Sequence, residues 1–65
     1  MQSLNSFEPA IDAHTRAAGI LREVGNQREE GKALYNLARA LACAGRQQQA
    51  IDVYNRAASL LHDAV

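Results

Sequence analysis

Sixty-five residues carrying seven basic and seven acidic side chains make one small domain of zero net charge, which argues against non-specific binding to nucleic acid or a membrane surface. A single cysteine excludes an intramolecular disulfide, and two histidines far apart in the chain offer no zinc-binding set. No apolar run approaches the roughly 20 residues of a membrane span, and the N-terminus lacks the basic-then-apolar layout of a signal peptide. A reducing, cytoplasmic setting is therefore expected.

Residues 1–6 (MQSLNS) read as a flexible N-terminus, followed by one helical domain over 7–65. The fold class is all-α: three antiparallel helices over about 8–24, 27–44 and 47–63, with no strand signal. The first helix has Pro9 in its opening turn, where a missing N–H costs little. Its apolar face runs through Ile11, His14, Ala17, Ala18, Leu21 and Val24, and Gly25 supplies the left-handed stop. Asn26 is placed to cap the second helix, with Glu29 completing a capping-box-like pair. The second helix is expected to bury Ala33, Leu34, Leu37, Ala38 and Leu41 before Gly45 closes it. The third begins near Gln47 behind a poor cap, Arg46, and is expected to bury Ala50, Ile51, Tyr54, Ala57, Leu60 and Leu61. Connections this short force neighbouring helices to run antiparallel.

The first and third helices echo each other. Ala10–Gly25 laid over Ala50–Val65, a shift of 40 residues, gives seven identities in sixteen places. The matches include Ala10/Ala50, Ile11/Ile51, Ala17/Ala57 and Leu21/Leu61. A fixed period between 20 and 50 residues marks a stacked-repeat architecture. The stretch KALYNLARALACAGRQQQAIDVYNRAASL (32–60) resembles a complete tetratricopeptide repeat. Leu34, Leu37, Ala38, Leu41, Gly45, Ala50, Tyr54 and Ala57 hold the places that this family's pattern reserves for large apolar, small, turn and aromatic residues. The 40-residue period is similar to the longer repeats of actinobacterial multidomain regulators and of kinesin light chains. The proline usual after the second helix is replaced near His62. The resemblance implies one and a half repeats of an α-solenoid, with the first helix lacking its own partner.

The same resemblance implies a concave, peptide-holding face on the second helix, at Lys32, Tyr35, Asn36, Arg39, Ala42 and Cys43. Lys32, Tyr35, Asn36 and Arg39 share a helix side, and their donors suit an acidic peptide or a chain-terminal carboxylate; the plainer alternative is a solvated face. Cys43 and His14 are expected to be packing residues. His62 sits near a helix end where a protonated imidazole is favoured by the helix dipole. No phosphate-cradling loop, nucleophile–base pair or metal-ligand pair is present in the sequence, so no catalytic residue, metal or cofactor is expected. The open ends of the stack, marked by Phe7, Val53, Leu60, Leu61 and Val65, are expected to mediate self-association, most simply as a two-fold dimer. The expected role is thus a protein-interaction or scaffolding module and not an enzyme. The alternative is a piece of a transcriptional or signalling regulator whose effector domain lies outside this chain.

Overall fold

The computed structural model describes residues 7–63. The expected flexible segment 1–6 and Val65 lie outside the described residues. Three α-helices account for the architecture: α1 (Phe7–Glu23), α2 (Gln27–Cys43) and α3 (Gln47–Asp63). Each has 17 residues and is therefore about 25 Å long. Observed boundaries fall within one residue of those read from the sequence.

The two connections are built alike. Gly25 (φ 78°) and Gly45 (φ 84°) adopt the left-handed conformation that glycine reaches without steric cost. Around each, two backbone hydrogen bonds close a Schellman motif. Gly25 N–H donates to Arg22 O and Asn26 N–H to Leu21 O; Gly45 N–H donates to Ala42 O and Arg46 N–H to Leu41 O. The helix-start chemistry then differs. Asn26 Oδ1 accepts from Glu29 N–H at 3.3 Å, whereas Arg46 offers no such acceptor. The capping box expected at Asn26 is only half formed. Its reciprocal bond needs the Asn26 N–H, which the Schellman motif already holds, and the Glu29 carboxylate instead accepts from Lys32 Nζ at 3.2 Å.

α1 and α3 each pack on α2, and their backbones do not approach one another. Two cross-links show the antiparallel course. Arg46, in the α2–α3 turn, pairs with Glu8 at the start of α1. Gln27 Nε2, at the start of α2, donates to Leu60 O near the end of α3 at 3.3 Å. The core is formed by Ala18 of α1, by Ala33, Leu34, Leu37, Ala38 and Leu41 of α2, and by Ala50 and Ala57 of α3. Small residues at Ala38, Ala50 and Ala57 allow close helix approach, as their spacing suggests.

Two apolar residues depart from the expected burial. Val24 lies just past α1 and is 69% exposed, and Ile51 of α3 is 50% exposed. The physical reason is which side α2 covers. On α1 it covers the side of Ile11, Ala18 and Leu21; on α3 it covers the side of Ala50, Val53, Ala57 and Leu60. Equivalent positions of the repeated element thus meet different environments.

Candidate functional site

The exposed positions along the solvent side of α2 are Arg28, Lys32, Tyr35, Asn36, Arg39 and Cys43. Five of them, all but Arg28, belong to the face that the family resemblance implied for holding a peptide, and they lie together on one side of the helix. Ala42 does not join them, because its side chain packs against the core cluster. Cys43, expected as a packing residue, is a free and exposed thiol. It occupies the last position of α2, on the face that neither α1 nor α3 covers.

The face is basic. Arg28 and Arg39 make no ion pair among the described residues, and Lys32 is joined to Glu29 across one helical turn. An exposed pair of this kind contributes little to stability, about 0–1 kcal/mol, so the lysine can exchange Glu29 for another acceptor at small cost. Tyr35 is half committed elsewhere. Its ring stacks at a tilt of 60° on Tyr54 of α3, with centroids 5.5 Å apart, a geometry that aromatic pairs favour.

The residues expected at the open ends are placed less freely than anticipated. Val53 and Leu60 are half-buried and packed against the core cluster. Leu61 approaches Gly31 of α2, and Phe7 is half-buried at the start of α1. Among the described residues, the large apolar side chains standing in solvent are instead Ile20 (61% exposed), Val24, Ile51 and Tyr35. Ile20 escaped the sequence reading although the repeat contained the signal. It is the counterpart of Leu60, which faces α2, and α1 has no equivalent helix on that side.

Between α1 and α3 runs an open groove floored by Leu34, Leu37 and Leu41 and walled by Thr15, Ala18 and Val53. Arg22, Arg56 and Glu30 stand at one end. Among the described residues no three His, Cys, Asp or Glu side chains come together as a metal site, and no helix is long and apolar enough to cross a membrane. No protein-family model, curated protein or solved structure matches the chain.

Proposed function

We propose that this chain is a protein–protein interaction module of tetratricopeptide-like design that associates with copies of itself through the uncovered sides of its outer helices. One observation carries the reading. α1 and α3 repeat a single sequence element, yet α2 covers a different side of each, leaving Ile20 on α1, Val24 just past its end and Ile51 on α3 in solvent. In a repeat stack every such side has a neighbour, and units that lack neighbours are short of stability. Contact between copies supplies the missing cover. The single cysteine fits a cytoplasmic setting.

The test is light scattering after size exclusion over a concentration series, with circular dichroism on the same samples. A helical species whose mass rises to a discrete oligomer supports the proposal; a folded monomer throughout the series contradicts it.

A second reading rests on the basic face of α2, where Arg28, Lys32 and Arg39 are exposed together beside the Asn36 amide. This face suits an acidic peptide or a terminal carboxylate. Replacing Lys32 and Arg39 with alanine weakens binding of an acidic peptide on this reading, and unchanged affinity sinks it.

A further inference from the structure

The uncovered side of α1 has a regular pattern. Ala10, Ala13, Ala17, Ile20 and Val24 follow one another at alternating spacings of three and four residues, the a/d seam of a helix that packs lengthwise on another helix. The internal repeat says what such a seam is for. The counterparts of its first four members are Ala50, Val53, Ala57 and Leu60, and on α3 these meet α2: Ala50 and Ala57 are buried, and Val53 and Leu60 pack against the core. On α1 cover over the same positions is incomplete: Ala17 touches the edge of the core and Ala10 is half-buried, while Ala13, Ile20 and Val24 are exposed.

We propose that the seam is closed by α1 of a second copy, running antiparallel. Two features select this occupant. The first is shape. With the two-fold axis between Ala18 and Gly19, each layer sets a small residue against a large one: Ala13 against Val24 of the other copy, Ala17 against Ile20, and the reciprocals. The second is charge. Arg16 and Glu23 are seven residues apart and flank the seam on one edge, both at the g position of the heptad. An antiparallel pair sets g edge against g edge, so Arg16 of each copy meets Glu23 of the other. A parallel pair would set that edge against His14 and Leu21 and leave both charges unmatched. Within one chain neither residue has a strong partner. Arg16 reaches Asp12 only at 4.0 Å, and Glu23 makes no ion pair among the described residues. The two-fold interface closes on itself and yields a dimer, not a filament.

This inference rests on the self-association proposed above and specifies its site. The experiment measures dimer dissociation by analytical ultracentrifugation, with helicity checked by circular dichroism. Ile20→Glu, a change at an exposed position, is expected to abolish dimer while helicity persists. Ile51→Glu, on α3, is expected to leave the dimer unchanged. Arg16→Glu and Glu23→Arg are each expected to weaken it by roughly tenfold, and the double exchange R16E/E23R to restore wild-type affinity. A dimer that survives Ile20→Glu, dissolves on Ile51→Glu, or shows no rescue in the double exchange overturns the α1 pairing while self-association stands. A wild-type chain that stays a folded monomer overturns both.

Discussion

Gly31 lies inside α2, where glycine costs about 1 kcal/mol relative to alanine, and the cost is offset by contact. A Cβ at this position would stand 2.7 Å from Leu61 Cγ and 2.9 Å from its Cδ2, with Ala57 O at 3.5 Å. Gly19 in α1 is the natural control, since a Cβ there would meet nothing within 4 Å. Gly19→Ala should therefore stabilise the fold by about 0.5–1 kcal/mol. Gly31→Ala gains the same propensity but must displace the Leu61 branch point, an overpacking cost of about 1–3 kcal/mol, and should be net destabilising. Urea melts followed by circular dichroism compare the two; equal stabilisation would mean that α3 yields freely at this contact. Gly31 was not legible in the sequence as a packing residue. A glycine inside a helical pattern has no signature of its own, because its role is set by a side chain that arrives from 30 residues away.

At the scale of the element, helix ends were the most legible part of the chain. Glycine is nearly alone in adopting a positive φ without cost, so Gly25 and Gly45 fix where α1 and α2 stop, and 17-residue helices follow. The helix starts are unequal, and this inequality is testable. Asn26 contributes both a Schellman N–H and a side-chain cap, while Arg46 contributes the first alone and sends its guanidinium to Glu8. Asn26→Ala should cost about 0.5–2 kcal/mol. Arg46→Asn should stabilise by a comparable amount, less the small worth of a half-exposed ion pair, about 0–1 kcal/mol. Thermal melts read both changes, and a lower midpoint for Arg46→Asn would show that the link to Glu8 matters more than the cap. What the periodicity left open was the choice of covered side. The apolar arc of α1 spans about half its circumference, so Ile20 and Val24 could not be told from Ile11 and Ala18 by spacing alone. The same ambiguity put Ile51 in the expected core.

The whole molecule is a thin slab, 12 Å across its narrowest direction between Cα positions. Among the described residues, near-complete burial is reached by the alanines Ala38, Ala50 and Ala57, and no large side chain is fully buried. Few apolar residues then hold the fold, and the leucines of α2 hold most of it. Leu37 borders the groove between α1 and α3 at both of its apolar stretches and belongs to the core cluster. Leu37→Ala is expected to cost about 2–5 kcal/mol, enough to unfold a domain at the lower end of the usual 5–15 kcal/mol range of stability. Loss of the helical circular dichroism signal at 25 °C would report it, and a variant that melts like the parent would show that α2 is anchored elsewhere. The face of α2 was implied by the family resemblance, and spacing along one helix put Lys32, Tyr35, Asn36 and Arg39 on one side of it; Arg28 was missed. The seam on α1 required knowledge of which helix was missing a neighbour.

The two matching turns carry a consequence for how such a chain grows. α1, α2 and α3 begin at residues 7, 27 and 47, and α1 and α2 end in equivalent turns, so one helix with its turn is a 20-residue step. The sequence itself returns only after two steps, because α2 has to satisfy neighbours on both sides and the outer helices do not. In the gene, a duplicated segment of 120 nucleotides would rejoin in frame with every glycine in its turn and every face in phase. A duplication of half that length would also keep the frame and the turns, but would ask an outer-type helix to serve as an inner one. Lengthening by pairs of helices is thus the step that this geometry tolerates, and each pair added would supply the cover that α1 or α3 lacks.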